Sequence, residues 1–336
     1  MKPCVFIIPY FGRFKSYFPL FLLTCKANPS FNWLLFTDSE EKYDYPENVS
    51  VIKMRFADFK ELVNQAFSFE INLDRPYKLC DYKPAYGYVL KEYIKDYKYW
   101  GYCDCDLLLG NLEQLLLPLL NNNYDKIFAA GHMTLYKNTD ENNSRFMGSH
   151  SIHDLIYKKA FTSDKIYAFD EMCYSVNVHT LFEELGASIF ADDISFNAST
   201  TQFRFVRKYY DSRTHRWYEE HKKKNLIVWD GKSIFEYYVD RSRAVKRKEY
   251  LYLHLQSRQL LFNQEEFEDG DPVVITPIGF HSLKEIPKSS DEIVKLMTLP
   301  ITKERVTMEL RRLYHVFKPR VKTWQFNPYQ VYNGEV

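Results

Sequence analysis

Glycine is scarce in this chain, at 11 of 336 residues. Neither GxGxxG nor GxxxxGKS/T occurs, so the two common glycine-built phosphate loops are excluded. Net charge is almost absent too. Lys+Arg number 45 against 44 Asp+Glu, a formal charge of +1, which excludes a protein whose main task is to coat nucleic acid. The six cysteines (4, 25, 80, 103, 105 and 173) contain no CxxC pair, which argues against a zinc ribbon. They are too sparse for a disulfide framework, and reduced thiols in a cytoplasmic protein are the expectation. No apolar run approaches the roughly 18 residues needed to span a bilayer. The apolar start is broken by Pro9, Gly12, Arg13, Lys15 and Pro19, with no small-residue cleavage site after it. It reads as a first strand at 4–8 and not as a signal peptide.

What is present is ample core material: 46% hydrophobic residues, with 27 Tyr and 26 Phe. The length suits one large domain or two small ones. Short apolar runs at 4–8, 33–37, 49–53, 99–103, 107–109 and 127–130 predict strands, and 17–26, 59–66 and 84–93 predict helices. Their alternation predicts an α/β fold, a mostly parallel central sheet with helices on both faces. Further strands are expected at 203–206, 226–229 and 250–255, around a mixed-charge stretch at 207–224. Residues 263–292 are rich in turn and acidic residues. From 303 to 322 there are seven basic residues against two acidic ones. Met308, Leu310, Leu313, Tyr314 and Phe317 fall at helical spacing there, predicting a basic amphipathic helix.

The segment Trp100-Gly101-Tyr102-Cys103-Asp104-Cys105-Asp106 carries the sharpest chemistry. Its two carboxylates, one residue apart past an apolar strand, point the same way if the backbone stays extended. Ligands bind at strand ends in α/β sheets. Like charges there repel, and a hard divalent cation, Mg²⁺ or Mn²⁺, relieves that. The plainer reading is a solvated turn. Lys78 and Lys83, just before Pro84, could seat a phosphate at a helix start or simply be solvated. Asp38, after Phe36-Thr37, could receive a base or ribose hydrogen bond or cap the next helix. His254, in an aromatic strand-like run, is either a core residue or a third metal ligand.

The opening strand Val5–Gly12, Phe36-Thr37-Asp38, Lys78–Pro84, Trp100–Gly110 and Ala130-Gly131-His132 together resemble a glycosyltransferase of the GT-A fold. The set is similar to a bacterial family found among capsule and O-antigen (lipopolysaccharide) biosynthesis proteins, labelled only as a domain of unknown function. The likeness covers roughly residues 4–260. It implies a catalytic domain at 1–262, with a nucleotide-binding half (1–110) and an acceptor half (111–262), followed by an extension at 263–336. It implies that Pro9, Tyr10 and Phe11 line the nucleotide pocket and that Asp38 contacts the base. Lys83 would face the diphosphate or donor sugar. Asp104 would contact ribose and metal, Asp106 would bind the metal (Mn²⁺ or Mg²⁺), and His254 would be its third protein ligand. In glycogenin-like galactosyltransferases the matching His stands in HFxGxxKPW. Here His254-Leu255-Gln256-Ser257-Arg258 lacks that Gly and Pro, and Arg258 would replace the lysine as the diphosphate cation.

The function so implied is metal-dependent hexosyl transfer from a nucleotide sugar, a UDP-sugar favoured, to a glycan or lipid-linked oligosaccharide acceptor, with no nucleic acid involved. Charge building on the leaving nucleotide would be met by the metal with Lys83 or Arg258. An inverting route needs a base. Asp170 and Glu171 are favoured for the acceptor side, with Asp192-Asp193 as the other acidic pair, while a His third ligand points to retention. The 303–322 stretch would touch the anionic inner face of the cytoplasmic membrane or pack on the domain. Rival readings are a phosphohydrolase of the haloacid-dehalogenase type, against which Leu108 stands where Thr or Val is needed, and an inactive sugar-nucleotide binder.

Overall fold

The computed structural model describes residues 1–310 apart from 173–175, 201–202, 223–224, 257, 264–266, 268–270, 298–300, 302, 304 and 308. Its first strands are β1 (Lys2–Pro9), β2 (Phe31–Thr37), β3 (Val49–Lys53), β4 (Tyr97–Cys103) and β5 (Leu107–Leu109). Then come β6 (Lys126–Ile127), β7 (Met133–Lys137), β8 (Ile189–Phe190), β9 (Phe196–Ala198), β10 (Arg207–Asp211) and β11 (Arg216–Glu220). The last are β12 (Asn225–Trp229), β13 (Ile234–Val239), β14 (Val245–Tyr250), β15 (Tyr252–His254), β16 (Val273–Thr276) and β17 (Gly279–Ser282).

The central sheet runs β3-β2-β1-β4-β7-β6-β8. Its first four strands are parallel, and β7 is antiparallel to β4. The continuous apolar run of β1 follows from burial on both faces. Val5 and Ile7 pack with Phe59 and Val63 of helix Phe56–Asn64, whereas Cys4, Phe6 and Ile8 pack with Phe18, Phe21 and Cys25 of helix Phe18–Lys26. The expected mostly parallel α/β sheet with helices on both faces is therefore what forms. The strand order reverses at β1, so the crevice lies beyond the carboxyl ends of β1 and β4, where Pro9 and Asp104 stand.

A second sheet, β11-β10-β9-β15-β5, begins at the end of the Asp104–Asp106 turn. Strand β5 pairs antiparallel with β15, and His254 stands opposite Leu107, next to Asp106. The third sheet, β14-β13-β12-β16-β17, joins β12 to β16, so the expected boundary at 262 falls within the stretch that builds it.

Several expected elements differ. The strand at 127–130 is only Lys126–Ile127, because Phe128 turns to φ +70°, and the true neighbour of β4 is β7. The strand expected at 203–206 starts at Arg207, and the mixed-charge stretch folds as the β10–β11 hairpin. The helix expected at 84–93 is a series of short turns, Lys83–Ala85, Tyr86–Val89 and Lys91–Ile94. Of the expected basic helix at 303–322, everything from 311 onward lies outside the described residues. Among the described residues no helix is long and apolar enough to cross a membrane.

Candidate active site

A cleft of about 590 Å³ opens at the ends of β1 and β4. Its floor is the Asp104–Asp106 turn. Asp104, Asp106 and His254 each bring one ligand atom to within 4.8 Å of the others. Two local causes produce this. Asp104 N donates to His132 O (3.1 Å) as β4 ends, and Leu255 N donates to Asp106 O (3.0 Å) as β15 ends. The β5–β15 ladder then sets His254 Nε2 3.3 Å from Asp106 Oδ1. Burial opposes a charge on His254, but Asp106 and Asp104 together outweigh it and raise the imidazole pKa. Among the described residues the buried Nδ1 of His254 has no hydrogen-bond partner. Two carboxylates and an imidazole with an unsatisfied nitrogen are a donor set that fits a divalent cation.

Lys83 holds the opposite wall. Its Nζ donates to Asp104 Oδ1 (2.8 Å) and Gly131 O (2.7 Å) and lies 3.3 Å from Asp170 Oδ2. Desolvation works against the ammonium, yet Asp104 and Asp170 raise its pKa well above the usual lysine value. Desolvation raises the Asp104 carboxyl, with Lys83 opposing, and burial pushes Asp170 well up. At Gly131 the acids approach closely: a Cβ there would meet Asp170 Oδ2 at 2.7 Å and Glu171 Oε2 at 2.9 Å, so either side chain would have to shift. Asp170 and Glu171 both line the cleft.

Pro9, Tyr10 and Phe11 line the cleft. Other expected residues stand elsewhere. Asp38 does not line it; its Oδ1 accepts from Gly12 N (2.8 Å), bracing the loop after β1, where Gly12 takes φ +111°. Arg258 also stands off the cleft. Its guanidinium donates to Ser199 O (2.9 Å) and Phe203 O (3.2 Å), and burial draws its pKa down to about 10. Lys78 is fully buried, so it cannot seat a phosphate. Asp193 accepts from Ser195 N (2.9 Å) and Tyr210 N (3.0 Å), and Asp192 from Ser212 Oγ (2.9 Å), so both serve turns.

Sequence reasoning missed Lys208 and Trp217, which line the cleft from the β10–β11 hairpin. Lys208 stands opposite Asn197 of β9, which stands opposite His254 of β15. The three form one rung across the second sheet and so face the same side. The Lys208 ammonium lies 5.1 Å from the Trp217 ring centre, and its charge adds a smaller share to the depression of the His132 pKa, after burial, His254 and Lys83. Trp217 Nε1 donates to Met172 O (3.0 Å), fixing the indole beside Glu171. The aromatic pairs Tyr209-Tyr210 and Trp217-Tyr218 on either side of a polar turn were the available hairpin signal.

A family of unknown function (DUF6625) matches residues 6–284. No curated protein sequence matches this one. Solved structures that match in part include the galactosyltransferase LgtC in complex with donor and acceptor sugar analogs. It is 13% identical, the match covers 59% of this chain and 76% of that one, and the TM-score is 0.32. An active-site mutant of LgtC matches at 12% identity over 59% and 75% of the two chains, with a TM-score of 0.33.

Proposed function

We propose a function for the family to which this chain belongs, DUF6625: divalent-cation-dependent glycosyl transfer from a nucleotide sugar to a glycan acceptor. The carrying observation is the convergence of Asp104, Asp106 and His254 in a cleft at the topological switch point of the parallel sheet. These three residues would hold Mn²⁺ or Mg²⁺, which when bound supplies positive charge for the departing diphosphate.

The remaining roles follow from charge and placement. Tyr10 and Phe11 offer apolar faces for the nucleoside, at the mouth of β1. Lys208 supplies the diphosphate cation in place of Arg258, whose guanidinium is engaged with backbone carbonyls. Lys83 holds Asp104 and Asp170 in fixed relation. Asp170 and Glu171, with Trp217 beside them, form the acceptor side, where a carboxylate can orient a sugar hydroxyl. The sequence resemblance supports the finer reading: a UDP-hexose donor and a lipid-linked oligosaccharide acceptor of bacterial capsule or O-antigen synthesis. That chemistry would take place at the cytoplasmic membrane face.

A thermal-shift panel tests the reading. UDP with Mn²⁺ at 100 times Kd is expected to stabilise the fold by about 2.7 kcal/mol, a rise of roughly 4 °C at this chain length. UDP without Mn²⁺ is expected to do far less. A shift with vanadate alone, and none with any nucleotide, would overturn the transferase in favour of a phosphohydrolase.

Lys208→Ala is expected to weaken UDP binding about tenfold while leaving uridine binding unchanged, because one charge-assisted hydrogen bond is lost. Calorimetric titration of both ligands is the check. Equal losses for UDP and uridine would move Lys208 out of the diphosphate seat.

A further inference from the structure

The segment 76–85 contains a second charged pair that never reaches the cleft. Lys78 and Asp81 are both 0% exposed, with Lys78 Nζ 2.7 Å from Asp81 Oδ2. Two fully buried opposite charges do not persist unless their remaining hydrogen-bonding capacity is met. Here it is met by one stretch of chain. Lys78 Nζ also donates to Ala160 O (2.7 Å) and to Lys165 O, at the end of helix Ile156–Thr162 and just past it. Asp81 accepts from Tyr167 N (3.1 and 3.0 Å to its two oxygens) and from Phe169 N (3.1 Å).

Those two amides flank Ala168, which stands at φ +46°, a left-handed conformation that a residue with a Cβ adopts at a cost. Directly after it come Asp170 and Glu171, the acidic residues of the cleft. Their loop is tied down further: Val178 N donates to Phe169 O (2.9 Å), Tyr102 Oη to Asp170 O (3.0 Å) and Met172 N to Ala129 O (3.3 Å). Lys83, five residues beyond Lys78 on the same short helical run, meets Asp170 and Asp104. One segment thus grips both the loop that bears the acids and the cation between them.

We infer that Lys78 and Asp81 are positioning residues, whose buried pair holds Ala168 in its strained turn so that Asp170 and Glu171 stand in the cleft beside Lys83. The inference rests on the proposed glycosyl transfer. It deepens it by adding a bracket that neither substrate touches. A displacement of about 1 Å in a reacting group costs on the order of 100-fold in rate, so the bracket acts on turnover and not on donor affinity.

The test is Asp81→Asn, whose amide offers one acceptor oxygen where the carboxylate offers two. Turnover is read as UDP released from UDP-hexoses with Mn²⁺, and UDP affinity is measured by titration. The expected result is a kcat lowered about 100-fold, with the Kd for UDP–Mn²⁺ within threefold of wild type and faster amide exchange at Tyr167 and Phe169. If Asp81→Asn leaves Lys78 charged and unpaired and does not fold, the Lys78→Met/Asp81→Asn double variant carries the same test without a buried charge. Unchanged kcat despite faster exchange overturns the bracket, as does a proportional fall in kcat and UDP affinity. Wild-type protein that neither binds UDP–Mn²⁺ nor releases UDP overturns the proposed function first, a failure visible before any variant is compared.

Discussion

In Asp106→Asn, manganese is expected to add nothing to the affinity for UDP. Asp106 is the member of the ligand trio that touches another member: His254 Nε2 lies 3.3 Å from its Oδ1. The amide keeps the volume and removes the charge, so a single carboxylate is left beside the imidazole to hold the divalent cation. Losing a group that merely orients a ligand costs 10- to 100-fold in metal affinity, and losing the ligand itself is expected to cost about 100-fold or more. The fold is expected to survive, because Asp106 is largely buried but packs at a turn, and Leu255 N bonds its backbone and not its side chain. The wild-type site also carries a pH signature. Asp106 raises the His254 pKa against the effect of burial. A proton on that ring competes with a cation, so Mn²⁺ affinity weakens as pH falls through the raised pKa. In Asp106→Asn the ring loses that support and burial pulls its pKa down. Titration of Mn²⁺ with UDP across pH, for both proteins, checks each point. A manganese-dependent gain in UDP affinity that persists in the variant would remove the trio from the mechanism.

The parts of this site written in consecutive residues were legible, and those created by distant pairing were not. Asp104 and Asp106 could be read because an apolar strand ends on them, whereas Pro9 and Tyr10 came only from the family resemblance. Lys78 and Lys83 look alike in the sequence, both ahead of Pro84. Only the packing of the 160–169 stretch against Lys78 separates a buried anchor from a cleft lysine. The i,i+3 acid at Asp81 was the one local hint. Arg258 was expected at the cleft and Lys208 was not singled out, for a similar reason. Which cation faces the cleft depends on the rung formed by β10, β9 and β15, strands far apart in the chain. The central sheet was legible in its parallel part, where β1 and β2 carry continuous apolar runs. It failed at Phe128, where a left-handed residue ends a strand that its composition would extend.

Lys83→Met is expected to move two measurements in opposite directions. Lys83 places its ammonium 2.8 Å from Asp104 and 3.3 Å from Asp170, and it is only 15% exposed. Removing it takes one positive charge from beside a metal ligand, so the site becomes more negative. Affinity for Mn²⁺ alone is therefore expected to rise, by about tenfold for a gain of roughly 1.4 kcal/mol in a partly solvated site. Turnover is expected to fall by 100-fold or more. Asp104 and Asp170 then share a wall without a cation between them, and Asp170, already pushed well up by burial, goes further towards its neutral form. Stability falls as well. Breaking a fully buried pair costs 3–5 kcal/mol, and with Asp104 34% exposed the expected loss is about 2–3 kcal/mol. Added Mn²⁺ is expected to restore part of this loss in the variant, because it supplies the missing charge to Asp104, without restoring turnover, because Asp170 gains no partner. Scanning calorimetry with and without Mn²⁺, beside a turnover assay, separates these effects. If Mn²⁺ affinity falls together with turnover, Lys83 supports the metal site, and the reading of its ammonium as a charge that opposes the cation is overturned.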